Sequence, residues 1–141
     1  MKKQKRQRAI IFRGWTLLLW MGIIFLFSSL PGSGNTSAPP IWYILERKGA
    51  HVLEFALLMI LAFRFFRVWF PTRESWRNIL AVSFVFVFMW AALDELHQAF
   101  VFGRGSRLFD VSIDIFGAML ASSIIGSIFL FQSFKKFKKM L

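Results

Sequence analysis

Four apolar runs, each close to the length that crosses a lipid bilayer, govern what this chain can fold into. The first goes from about Trp15 to Leu30 and the second from about Lys48 to Phe70. The third goes from about Asn78 to Phe100 and the fourth from about Phe109 to Phe134. An α-helix rises 1.5 Å per residue, so about 20 apolar residues cover the roughly 30 Å of hydrocarbon in a membrane. The first run is the shortest, and its span borrows from Phe12 onwards. A chain of 141 residues that is 57% hydrophobic is too apolar for a soluble domain of this size. The expected fold is therefore an all-α membrane protein, a bundle of four transmembrane helices with short connections. Residues 1–13 form a basic head, 14–134 the membrane domain and 135–141 a basic tail.

The head and the first run together have the outline of a secretory signal. The segment that follows, Pro31-Gly32-Ser33-Gly34-Asn35, offers no small-x-small cleavage site. The run is read as an uncleaved first spanning helix. Residues 31–47 then read as the longest loop, broken by Pro39-Pro40 and carrying Trp42 and Tyr43, aromatics suited to the interface.

The net charge of +11 alone suggests nucleic acid. The basic residues instead flank apolar runs and form no nucleic-acid motif, so retention near a lipid surface explains them better. Four spans put both termini on one side. Lys2, Lys3, Lys5, Arg6, Arg8 and Arg13 lie in the head, Arg64, Arg67, Arg73 and Arg77 around the second connection, and Lys135, Lys136, Lys138 and Lys139 in the tail. Only Arg47, Lys48, Arg104 and Arg107 fall on the other side. The positive-inside rule then places both termini in the cytoplasm. The absence of cysteine excludes disulfides, thiolate metal sites and a cysteine nucleophile.

Six of the seven acidic residues fall at the extracytoplasmic ends of these runs: Glu46, Glu54, Asp94, Glu95, Asp110 and Asp114. Only Glu74 lies elsewhere. A charge at the centre of a membrane helix costs roughly 2.5–3.5 kcal/mol on insertion scales, so such groups are rare and tend to be used. Helical spacing puts Lys48, His51 and Glu54 on one face. Asp94 and Gln98 are one turn apart, with Glu95 beside them. Asp110, Asp114, Gly117 and Ala121 form one stripe whose small residues let another helix approach closely.

One pocket can thus hold His51, Glu54, Asp94, Glu95, Gln98, Arg104, Arg107, Asp110 and Asp114, with Lys48 at its edge. Histidine with several carboxylates suits a hard or borderline divalent cation, and the same groups suit acid–base work. Two arginines at the water interface suit a phosphate or pyrophosphate. Bland readings stand beside these. Lys48, Arg104 and Arg107 serve equally as interface anchors, Asp110 as a helix N-terminal carboxylate, and His97 as a group facing lipid headgroups. The whole set also reads as a structural arginine–carboxylate network. No P-loop, serine-hydrolase motif or dinucleotide fingerprint occurs. The cytoplasmic halves of the runs are almost purely apolar apart from Arg64 and Arg67, which leaves an ion path without stepping stones. The nineteen Phe and six Trp read as lipid-facing or packing residues.

Four short motifs resemble those of the VanZ-like family of bacterial membrane proteins. Phe27-Ser28-Ser29 is similar to its Phe-Ser-Ser-Gln element, with Leu30 where the family usually has Gln. Lys48-Gly49-Ala50-His51-Val52-Leu53-Glu54-Phe55 resembles Lys-x-x-His-x-x-Glu-Phe/Tyr, and Asp94-Glu95-Leu96-His97-Gln98 resembles Asp-Glu-x-x-Gln. Gly103-Arg104-Gly105-Ser106-Arg107 with Asp110, Asp114 and Gly117 resembles its Gly-Arg, Asp and Gly pattern. The resemblance implies a multi-pass protein of the bacterial cytoplasmic membrane, connected with the cell envelope and, through the namesake, with teicoplanin resistance.

The resulting expectation is a site that engages an anionic envelope lipid or a lipid-linked cell-wall precursor. Arg104 and Arg107 would hold phosphate, and Asp110 and Asp114 would position that arginine pair. His51, Glu54, Asp94 and Glu95 would hold a divalent cation or move a proton, with Gln98 orienting the ligand. An enzyme that modifies an envelope lipid, and a structural or partner-binding protein, are the alternatives.

Overall fold

The computed structural model describes residues 2–31, 41–70, 74–104 and 108–139. They form four helices: α1 (Lys2–Ser28), α2 (Ile41–Trp69), α3 (Trp76–Gln98) and α4 (Leu108–Lys138). Three helical stretches, Lys3–Ser28, Trp76–Gln98 and Phe109–Lys138, are long and apolar enough to cross a membrane.

The helices overrun the apolar runs at several ends. α1 takes in nearly all of the basic head, and α4 continues through Lys138 of the tail. Lys, Arg and Gln are good helix formers, so the backbone stays helical where the hydropathy stops. α2 begins at Ile41 rather than near Lys48. Trp42 therefore sits on a helix, not in the long loop expected over 31–47.

The four helices alternate in direction, so one end of the bundle gathers the end of α1, the start of α2, the end of α3 and the start of α4. α2 is the hub: it packs against α1, α3 and α4, whereas α1 and α4 are not in contact among the described residues. The core has Leu17, Met21 and Ile24 from α1, and Phe55, Leu58, Met59 and Ala62 from α2. Val87 and Ala91 come from α3, and Ala118 and Ala121 from α4. Large apolar side chains such as Leu19, Leu26, Phe88 and Phe131 point outward. An apolar exterior around a core rich in small residues is the arrangement lipid favours, because helices there associate by close packing. The tightest approach is between α2 and α4. A methyl group placed on Gly117 would collide with the backbone carbonyl of Val52.

The basic end of the bundle is tied by arginines that satisfy the last carbonyls of α2. Arg6 Nε donates to Val68 O at 3.0 Å, and its Nη2 donates to Trp69 O at 2.8 Å. One turn deeper, Arg13 Nη1 donates to Arg64 O at 2.8 Å. A helix C-terminus carries partial negative charge and unbonded carbonyls, so guanidinium groups are favoured there. Arg67 lies over the Phe129 ring at 4.6 Å and joins α2 to α4 at the same end.

Candidate functional site

The acidic end of the bundle holds the polar groups, and helical periodicity puts them there. On α3, Ile79, Ser83, Val87, Ala91, Asp94 and Gln98 occupy one buried stripe. Apolar residues fill its inner part and a carboxylate and an amide its outer end. On α1, Leu17, Met21, Ile24 and Ser28 repeat the pattern, and Ser28 is 1% exposed. On α4, Asp114, Gly117 and Ala121 face inward along the stripe whose small residues admit α2.

These stripes bring four of the expected residues together. His51 Nδ1 lies 3.4 Å from Asp114 Oδ1 on α4 and 3.7 Å from Glu54 Oε2 on its own helix. Asp94 approaches from α3. One donor atom from each of His51, Asp94 and Asp114 lies within 4.8 Å of the other two. Asp94 and Asp114 are 3% and 1% exposed, so both carboxylates are inside the bundle, not on its surface.

Gln98 and Ser28 hold Asp94 in place. Its Oδ2 accepts from Ser28 Oγ at 2.7 Å and from Gln98 Nε2 at 2.7 Å. Asp94 Oδ1, Asp114 Oδ2 and His51 Nδ1 are buried with no hydrogen-bond partner among the described residues. Buried polar atoms are nearly always paired, and an orphan asks for an explanation such as a bound ion or a proton. Trp20 Nε1 donates to Glu54 O at 3.0 Å and fixes the backbone of α2 beside the cluster. Glu95 is also buried, next to Asp94 on α3.

At the rim, Lys48 Nζ lies 3.1 Å from Asp110 Oδ1, with the two side chains 39% and 30% exposed. Asp110 thus meets Lys48, and Asp114 meets His51. Arg104 is turned toward α1, where Nε donates to Leu30 O and Nη2 to Phe27 O, each at 2.8 Å. It closes the C-terminal turn of α1, much as Arg6 closes that of α2. Arg107 lies outside the described residues. His97 is half-buried at the same end of the bundle. Its Nε2 is 3.0 Å from Ser29 Oγ, and its ring stacks on Phe25 at 4.2 Å. Glu46 is exposed on the first turns of α2 and is not part of the cluster.

Sequence reasoning left Ser28 at the margin and passed over Trp20. Ser28 carries a readable signal, since it stands at i+4 from Ile24 on the apolar stripe of α1. The Trp20 bond has none, because its acceptor is a backbone carbonyl 34 residues away.

The arrangement is a half-buried imidazole and three carboxylates from three helices, below a rim that pairs a lysine with an aspartate. It can bind a cation, share protons among its acids, or present Lys48 to an anion. No curated protein and no solved structure matches the chain. A family model described as VanZ/LLP1 matches residues 14–132, which covers most of each of the four helices, α1 from Gly14 onward, and every residue of the cluster. The chain belongs to the VanZ/LLP1 family.

Proposed function

We propose that this is a four-span protein of the bacterial cytoplasmic membrane, with both termini cytoplasmic. Its outward-facing polar site engages the anionic headgroup of an envelope lipid or a lipid-linked cell-wall precursor. Two features support the topology. Fourteen of the eighteen Lys and Arg flank the end opposite the acidic cluster. α2 packs against all three other helices, and a helix so enclosed shares their environment.

The observation that carries the functional reading is the layering of the acidic end. Lys48 stands half-exposed at the rim, one helical turn outward of the buried His51–Asp94–Asp114 cluster. A phosphate at the rim meets Lys48. The acids below supply a cation or protons that let the phosphate approach them. Engaging a precursor headgroup changes its exposure to a glycopeptide, and tolerance of the teicoplanin type follows from that.

Native mass spectrometry of the gently extracted protein, beside its Glu54→Gln and Lys48→Gln variants, tests the reading. A discrete lipid adduct in the parent, lost from both variants, is the expected result. Three folded proteins without an adduct would sink it. A second reading, an enzyme modifying the same lipid, draws on the His51–Asp114 contact, because a carboxylate beside an imidazole is how many general bases are oriented. It predicts an altered envelope component that disappears with Glu95→Gln while the adduct persists.

A further inference from the structure

We infer that His51, Asp94 and Asp114 form a site for one divalent transition cation of the Zn²⁺ or Mn²⁺ type, held between α2, α3 and α4. The inference rests on reading the acidic end as a ligand site, and it names what the deep part of that site takes.

The geometry is specific to each donor. Asp94 uses Oδ2 for two neutral donors, Ser28 and Gln98, which leaves Oδ1 buried and unpartnered. Asp114 presents Oδ1 toward His51, and its Oδ2 is likewise unpartnered. His51 Nδ1 is buried between Asp114 Oδ1 at 3.4 Å and Glu54 Oε2 at 3.7 Å, without a well-formed hydrogen bond to either. Ion pairing with His51 engages Asp114 Oδ1 but leaves Asp94 Oδ1 and Asp114 Oδ2, on two different helices, without a partner. The bonds from Ser28 and Gln98 are those expected of partners that orient a metal-bound carboxylate.

The donor atoms lie within 4.8 Å of one another. Bonds of about 2.1 Å to a single Zn²⁺ keep any two ligands within about 4.2 Å. Small side-chain rotations therefore close the set on an ion. Glu54 Oε2, 3.7 Å from His51 Nδ1, is the natural fourth ligand.

The donors also select the cation. An imidazole nitrogen favours Zn²⁺, Mn²⁺ and their neighbours over Ca²⁺. Mg²⁺ dehydrates reluctantly and usually keeps several waters, which suits an open cleft better than carboxylates 1% and 3% exposed.

The full-length protein in detergent, stripped with a chelator and free of added lipid, is titrated with Zn²⁺, Mn²⁺, Ca²⁺ and Mg²⁺. Metal content after gel filtration and Tm are the readouts. The expected result is one equivalent of Zn²⁺ or Mn²⁺ per chain, a rise in Tm, and little response to Mg²⁺. Asp94→Asn and Asp114→Asn lose the metal and the Tm rise. In chelator, each holds a Tm at or above the parent's, because a buried charge has been removed without a change in shape. Co²⁺ added to the parent alone gives visible ligand-field bands, a readout that needs no folded variant.

A parent that retains no Zn²⁺ or Mn²⁺ and shows no Co²⁺ bands would overturn the inference, as would Asp114→Asn binding metal like the parent. Because lipid is absent, such a failure removes the metal and leaves the headgroup reading to the mass spectrum.

Discussion

Ser28 Oγ donates to Asp94 Oδ2 at 2.7 Å across the acidic end, tying the last turn of α1 to the last turns of α3. Both residues are at least 97% buried, so neither finds water when the partner is lost. Ser28→Ala is expected to cost about 1–3 kcal/mol, the range for stripping a donor from a buried acceptor. Equilibrium unfolding in detergent checks this. Combining it with Asp94→Ala, which removes the acceptor, in a double-mutant cycle should give a coupling energy well away from zero, and additive losses would show that the bond contributes nothing.

Gly117 and Gly126 on α4 make a matched pair. A Cβ on Gly117 meets the Val52 backbone of α2, while one on Gly126 meets nothing within 4 Å. Gly117→Ala is expected to destabilise by about 1–3 kcal/mol, since backbone cannot move aside as a side chain can. Gly126→Ala should be neutral or stabilising by up to about 1 kcal/mol through helix propensity. Opposite signs in thermal unfolding are the outcome to look for. Equal effects would mean that α2 and α4 do not cross at Gly117.

Arg104 bonds two carbonyls at the end of α1 through Nε and Nη2. Arg104→Gln leaves those carbonyls without the charged fork, and the last turn of α1 should fray. Faster amide exchange at Ser29 and Leu30 is expected, with a stability loss of about 1 kcal/mol. Arg104→Lys should recover little, because one ammonium cannot reproduce a two-point contact. Unchanged exchange in both variants would count against capping.

The absence of cysteine makes topology directly measurable. Glu46 and Glu74 are both exposed and lie at opposite ends of the bundle. In whole cells, Glu46→Cys should react with a membrane-impermeant maleimide, whereas Glu74→Cys should react only after permeabilisation. Equal labelling of both would remove the four-span model.

The architecture was largely legible in the sequence, because apolar length is a direct physical requirement of a membrane helix. Helix ends were not. Hydropathy marks where a helix meets lipid, and the basic residues at Lys2 to Arg13 continue the same backbone beyond that point. The gathering of His51, Glu54, Asp94 and Asp114 was legible too, since alternating helix direction and face periodicity bring them to one end. Their pairing was not. Sequence pattern places Asp110, Asp114 and Arg104 on one rim but does not state that Asp110 takes Lys48 or that Arg104 reaches carbonyls 74 and 77 residues distant. Such choices are decided by reach and backbone geometry in the assembled bundle.

The hub position of α2 has a consequence for how the protein is made. Lys48 and His51 each meet a carboxylate on α4, which leaves the ribosome after α1, α2 and α3. Until then the nascent chain carries α2 with its polar face unanswered. A chain that stalls or is cut before Asp110 keeps α1, α2 and α3 yet lacks the carboxylates that α4 brings to Lys48 and His51. Assembly of the acidic end therefore waits for α4, however early α2 enters the bundle.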